Sequence, residues 1–145
     1  MGCEVDHNAI ESYNQMECGA RRILLVDDDL SLLKMMSVYL GRLGYAIITC
    51  GSTDEAWAQV EAAPSKFAVA ILDATMPGMS VEVLALKMLQ ANPVLSVIVA
   101  SGYPIDMTAV QAAGPGRVTF LHKPFSPEML AVAVRRIFAT QEEDI

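Results

Sequence analysis

The sequence predicts one α/β domain made of five βα units around a parallel sheet, and three observations carry that prediction. Five short apolar runs (23–26, 46–49, 68–72, 95–100 and 118–121) alternate with longer segments of helical spacing. The runs are mostly continuous in hydrophobicity, as strands covered on both faces are. The chain has 145 residues, 53% of them hydrophobic, which is enough for a single domain with a real core. Right-handed crossovers between parallel strands then put helices on both faces.

Each element has a local reason. The first run closes in Asp27-Asp28-Asp29, with Asp29 placed to cap the next helix. On that helix Leu33, Met36, Leu40 and Leu43 share one face, and Gly44 stops it. One of the adjacent Met35 and Met36 must face inward and the other outward. After run 46–49, Ser52-Thr53-Asp54-Glu55 is a capping-box pattern that opens a second helix, whose Trp57 is expected to anchor it to the sheet. Run 68–72 leads into Asp73-Ala74-Thr75-Met76-Pro77-Gly78. A third helix carries Val83, Leu84, Lys87 and Met88 and ends at Asn92-Pro93. Run 95–100 closes in Ser101-Gly102, and a weaker helix follows over 106–113, ended by Gly114-Pro115-Gly116. Run 118–121 leads to Lys123-Pro124-Phe125. Ser126-Pro127-Glu128 then opens the fifth helix, with Ser as N-cap and Pro at the first position. Leu130, Val134, Ile137 and Phe138 face its core. Residues 1–20 carry Glu4, Asp6, Glu11 and Glu17 and no apolar stretch, so they are expected to be a mobile arm and not a signal peptide. The domain is expected over 21–140, with 141–145 a tail too short to hold an output domain.

Composition excludes several classes. No apolar run approaches the roughly 18–20 residues that cross a bilayer, so no membrane partner is expected. A net charge of −7 with no Lys/Arg stripe argues against direct nucleic-acid binding, which relies on neutralising phosphates. Arg21-Arg22 and Arg135-Arg136 read as solvated flanks. Cys3, Cys18 and Cys50 are odd in number and unclustered, which suits a reducing cytoplasm better than a disulfide framework or a zinc site.

The chemistry-bearing residues all follow strands. Parallel α/β sheets bind ligands at the carboxyl ends of their strands, and Asp27, Asp28, Asp73, Ser101 and Lys123 all fall there. Carboxylates brought together raise each other's pKa unless a cation compensates. Mg²⁺ prefers oxygen ligands and usually takes one or two carboxylates while keeping several waters. Asp28 and Asp73 suit direct ligation, the Thr75 carbonyl a third protein oxygen, and Asp27 a water-mediated role. Lys123 adds a mobile positive charge.

Taken together, these motifs resemble the receiver domain of two-component response regulators over about residues 21–140. Val26-Asp27-Asp28 is similar to the family's acidic pair, and Asp73 with Met76-Pro77-Gly78 to its phosphoacceptor and loop. Ser101-Gly102 matches the switch hydroxyl and small residue, Phe120 the switch aromatic, and Lys123-Pro124-Phe125 the lysine motif. The resemblance, not the spacing, supplies a flavodoxin-like, doubly wound strand order of 2-1-3-4-5, in which strands one and three are neighbours. It also implies a cis Lys123–Pro124 bond. Its functional implication is phosphoryl transfer from the phosphohistidine of a histidine kinase or histidine phosphotransfer protein to Asp73, with Mg²⁺. The charged state then changes the surface of helix four, strand five and helix five for an output partner. Such a domain promotes its own phosphorylation and slow dephosphorylation without being a turnover enzyme. Thr75 and Tyr103 flank the acceptor, where Tyr103 is expected to pack on apolar neighbours. The stretches 101–104 and 120–125 are similar to receivers fused behind hybrid kinases, so both a fused module and a stand-alone relative are expected forms.

Three rival classes share part of this pattern. A haloacid-dehalogenase-type hydrolase needs a second Asp two residues after the nucleophile, where this chain has Thr75, and a cap region for which the chain is too short. A serine hydrolase needs a Gly-x-Ser-x-Gly elbow that Ser101 lacks. A degenerate receiver that docks partners without phosphate is opposed by the complete acidic set together with Ser101 and Lys123.

Overall fold

The computed structural model describes residues 22–143; the arm expected over 1–20 lies outside them. Five strands form one parallel sheet: β1 (Arg22–Val26), β2 (Ala46–Cys50), β3 (Val69–Asp73), β4 (Ser96–Ser101) and β5 (Val118–His122). Their order is 2-1-3-4-5, as the resemblance implied. Between and after them run α1 (Leu30–Arg42), α2 (Thr53–Ala62), α3 (Val81–Ala91), α4 (Thr108–Ala113) and α5 (Pro127–Glu143).

Side-chain alternation sorts the core into two layers. Leu24, Val26, Ala70, Leu72, Val97 and Val99 pack against α2, α3 and α4. Ile23, Leu25, Val69, Ile71 and Ile98 pack against α1 and α5. Because β1, β3 and β4 are covered on both sides, their residues are buried almost throughout, which is why these runs carry no polar alternation. At the edge strand β5 no residue is fully buried, because the strand is only partly covered.

Local signals held at most helix ends. Asp29 caps α1 by accepting from the Leu32 amide at 3.2 Å. Gly44 takes φ +101°, a left-handed conformation that suits a residue without a Cβ. Ser52 caps α2 through the Glu55 amide at 3.1 Å, and the Glu55 carboxylate reaches back to the Gly51 amide at 2.8 Å. Ser126 caps α5 through the Met129 amide. The Lys123–Pro124 bond is cis.

Other expectations need correction. Leu43 does not join the α1 core face: it is the C-cap residue, where the chain leaves the helix, and it is exposed. Met36 is buried and Met35 exposed, which settles that pair. Trp57 is half-buried and packs, with the buried Ala56 and Val60, against the core layer that includes the sheet's Leu24 and Val26; its ring also lies under the Lys87 ammonium, 5.2 Å from the centroid, which ties α2 to α3. Helix α4 starts only at Thr108: the Asp106 carboxylate accepts from the Thr108 amide at 3.0 Å in a turn that precedes the helix, and the N-cap residue Met107 makes no side-chain capping bond. Helix α5 runs past residue 140 to Glu143. No Gly or Pro stops it, and the Gln141 carboxamide donates to the Ala68 and Val94 carbonyls at 3.0 and 3.1 Å.

The end of the sheet opposite the strand carboxyl termini is laced by side chains. Arg117 donates to the carbonyls of Leu95 (2.8 Å), Leu89 (3.2 Å) and Asn92. Asn92 in turn donates to the Phe67 carbonyl at 3.0 Å. No helix among the described residues is long and apolar enough to cross a membrane.

Candidate functional site

Strand register builds the site. Val26 pairs with Leu72, so the next residues, Asp27 and Asp73, emerge side by side. Asp73 pairs with Ala100 and Ser101 with His122, which leaves Ser101 and Lys123 one step further along the same rim. Backbone bonds continue the ladders at this end: the Asp27 amide to Cys50 O (3.1 Å), Ala74 to Ala100 O (2.9 Å) and Lys123 to Ser101 O (2.8 Å). Five stretches of chain are thereby held to one crevice.

Three carboxylates meet there. Asp27, Asp28 and Asp73 each present an oxygen within 4.8 Å of the others. Asp73 is only 4% exposed, Asp27 is buried and Asp28 faces solvent. The Lys123 ammonium lies 2.8 Å from Asp73 Oδ1. The Thr75 amide and hydroxyl both turn back onto the Asp73 carboxylate, at 3.3 Å and 3.2 Å from Oδ1. Asp27 Oδ1 accepts from the Asp29 amide at 2.9 Å.

Electrostatics show what the cluster lacks. Burial raises the Asp27 carboxyl above its ordinary value; the Asp29 amide opposes this, Asp73 adds to it, Lys123 opposes it and Asp28 adds to it. Burial alone would lower Lys123, but its hydrogen bond with Asp73 and the charges of Asp73, Asp27 and Asp28 raise it overall. A single ammonium faces three carboxylates, so the cluster carries an uncompensated negative charge. All the donors are hard oxygens, and the set fits a divalent cation such as Mg²⁺.

The raised Asp27 pKa gives a signed prediction. A carboxyl with a raised folded pKa favours folding fully below its unfolded value near 3.8, and that contribution is lost as pH rises through the folded value. At pH 7 the Asp27 charge therefore destabilises the metal-free fold. Asp27→Asn is expected to stabilise the metal-free protein at pH 7 by on the order of 1 kcal/mol, the scale of one well-hydrated charge pair at close range. Thermal unfolding in chelator should show this as a melting point a few degrees higher, about what 1 kcal/mol gives at this size, with the gain shrinking towards pH 4. A lower melting point at pH 7 would contradict it.

Ser101 closes β4 at the rim, and Phe120 lies on the same sheet face two residues back along β5, level with Val99. Alternation sets Ser101 in line with Val97 and Val99, and Phe120 with Val118, on the α4 face. The buried Ser101 hydroxyl is committed to its own turn, donating to the Tyr103 carbonyl and accepting from the Tyr103 amide at 3.2 Å. Phe120 points outward, 43% exposed. A cavity of about 280 Å³, lined by Val99, Ser101, Ile105 and Phe120 among others, separates the two. Tyr103 is 55% exposed and so is not packed down as expected, although it lines the same cavity as Ile105 and Phe120. His122 is exposed, with Nδ1 2.7 Å from the Lys123 carbonyl.

Of the seven residues expected at the site, Asp27, Asp28, Asp73, Thr75 and Lys123 come together at the strand ends and Ser101 closes β4 beside them, while Phe120 sits two residues back along β5, level with Val99. Sequence reading missed Thr53, whose hydroxyl donates to the Pro77 carbonyl at 3.3 Å; its place inside a capping box disguised it.

A doubly wound parallel domain whose strand ends gather three carboxylates and a lysine is an aspartate-centred α/β module. The match to known families makes this specific: residues 23–135 match the family model for the response regulator receiver domain, and the chain belongs to that family. It is 36% identical over 118 residues to the C4-dicarboxylate transport transcriptional regulatory protein DctD of Rhizobium meliloti, covering 81% of this chain and 25% of that protein. It is 32% identical over 117 residues to the DNA-binding transcriptional regulator NtrC of Azospirillum brasilense, covering 81% and 24%. The chain thus spans about a quarter of the length of these relatives. Among solved structures, a CheY-like response regulator receiver domain protein from Methanospirillum hungatei JF-1 superposes with a TM-score of 0.75 at 26% identity, covering 86% of this chain and 98% of that one.

Proposed function

We propose that this receiver domain is a phosphorylation switch that accepts a phosphoryl group on Asp73 from a histidine kinase or histidine phosphotransfer protein. The observation that carries the reading is the buried Asp73 carboxylate, paired with Lys123 at 2.8 Å and flanked by Asp27 and Asp28 within 4.8 Å. Asp27, Asp28, Asp73 and the Thr75 carbonyl would hold Mg²⁺, which supplies neutralisation of the carboxylates and of the incoming phosphoryl oxygens.

A carboxylate oxygen of Asp73 attacks the phosphorus of the donor. The phosphorus–nitrogen bond breaks, imidazole leaves with the bonding pair, and an acyl phosphate forms on Asp73. The loose transition state asks for in-line approach and for charge neutralisation more than for covalent help. Lys123, already at Asp73, meets the phosphoryl oxygens as they arrive. The Thr75 hydroxyl must release the carboxylate oxygen that becomes the bridging atom.

The phosphoryl oxygens then draw the Ser101 hydroxyl from its turn with Tyr103. Phe120 has the adjoining cavity of about 280 Å³ to enter. These moves bias the surface of α4, β5 and α5 between two packings. The output partner is read from that surface. With a net charge of −7, this chain is proposed to make no nucleic-acid contact of its own. The fitting compartment is the cytoplasm.

Beryllofluoride with Mg²⁺ tests the switch. Amide resonances around Asp73, Ser101 and Phe120 are expected to shift together. Unchanged spectra with no measurable Mg²⁺ affinity would instead favour a docking module that never carries phosphate.

A further inference from the structure

We propose that Thr53, at the first turn of α2, is a positioning residue that holds the 74–79 loop in register with the carboxylate cluster; this rests on the Mg²⁺ reading above. The loop between β3 and α3 carries Thr75; Ala74, Met76 and Met79 pack against the core, but few hydrogen bonds set the loop's register. Ala74 is tied to Ala100 O at 2.9 Å, and Thr75 folds back onto Asp73. Beyond that point, among the described residues, the sole hydrogen bond from 76–79 to another element is the one from Thr53 Oγ1 to Pro77 O, at 3.3 Å. Pro77 itself has no amide to donate.

The contact is enclosed on both sides. Thr53 is 1% exposed, and a hydroxyl that deep needs a partner. Gly78 passes it at φ +88°, where a Cβ would stand 3.3 Å from Thr53 Oγ1 and 3.5 Å from Asp54 Oδ2. The backbone therefore approaches α2 at a place where a side chain would force it away. Thr53 is itself well anchored, because Ser52 and Glu55 cap the same turn. Two residues before the Ser52 cap, Cys50 O accepts from the Asp27 amide at 3.1 Å. The short β2–α2 connection thus touches both segments that supply carboxylates, through Cys50 at the end of β2 and Thr53 at the start of α2. Losing the hydroxyl frees the loop to drift relative to Asp27 and Asp28.

The test uses Thr53→Val, which keeps the shape and removes the hydroxyl, and Thr53→Ser, which keeps the hydroxyl. Calorimetric titration with MgCl₂ should show Thr53→Val binding about 10-fold more weakly, the lower end of the effect of losing a group that orients a metal ligand. Amide exchange of Met76, Gly78 and Met79 in the metal-free protein should be faster in that variant. Thr53→Ser should restore both readouts. The proposal is overturned if Thr53→Val binds Mg²⁺ like the unsubstituted protein, whatever its melting point, or if Thr53→Ser fails to restore binding. Failure of the unsubstituted protein to bind Mg²⁺ overturns the metal reading and this role with it. That outcome is told apart because it needs no substitution.

Discussion

Asp73→Asn protein incubated with a phosphorylated histidine kinase or small-molecule phosphodonor is expected to take up no acid-labile phosphate. The carboxamide matches the carboxylate in shape, so the sheet, whose Asp73 backbone pairs with β4, is retained. What disappears is the anionic oxygen, and a neutral amide oxygen does not displace phosphorus under these conditions. Lys123 loses its charged partner but is partly exposed and remains hydrated. The loss should therefore exceed the roughly 10²–10³-fold typical of deleting one transition-state donor, because the nucleophile itself is gone. Intact-mass analysis before and after acid or hydroxylamine treatment reads the result. Stoichiometric labelling of the Asp73→Asn protein would assign the phosphate to another side chain and end the Asp73 reading.

Asp28→Asn separates the metal from the acceptor. Asp28 is exposed and makes no core contact, so folding should be unchanged. Its oxygen is within 4.8 Å of those of Asp27 and Asp73, and its charge should matter to any cation held between them. Mg²⁺ affinity is expected to fall on the order of 100-fold, the upper end of what outer-shell losses cause and a modest expectation for a ligand. The rate of Asp73 phosphorylation should fall with it at limiting Mg²⁺ and partly recover at high Mg²⁺. Titration calorimetry and a Mg²⁺ dependence of labelling check both. Undiminished affinity would remove Asp28 from the metal set.

Much of this was legible because the signals are local or periodic. Continuous apolar runs gave five strands, and Ser52, Asp29 and Ser126 gave helix starts that the hydrogen bonds match. The carboxylate cluster was legible because strand ends share a rim, and because the motif resemblance brought the order that makes β1 and β3 neighbours. What was missed depends on contacts between elements distant in sequence. Trp57 carries no mark that Lys87 of α3 lies over its ring. Arg117 reads as a lone charge before a strand, yet it bonds three carbonyls around the end of α3. Thr53 reads as part of a cap, and only the fold brings it to Pro77. Leu43 fits the helical period, but the helix had ended.

The strand order also grades the mechanical compliance of the molecule. Asp27 and Asp73 stand on β1 and β3, which are bonded on both flanks and covered on both faces. Ser101 stands one strand outward, and Phe120 on the unpaired border. Pairing and cover fall away only at the two borders, β2 and β5, and of the site residues Phe120 alone stands on one of them. A ring placed there can reorient without any further strand having to follow it, so the message has an outlet before any particular listener is specified.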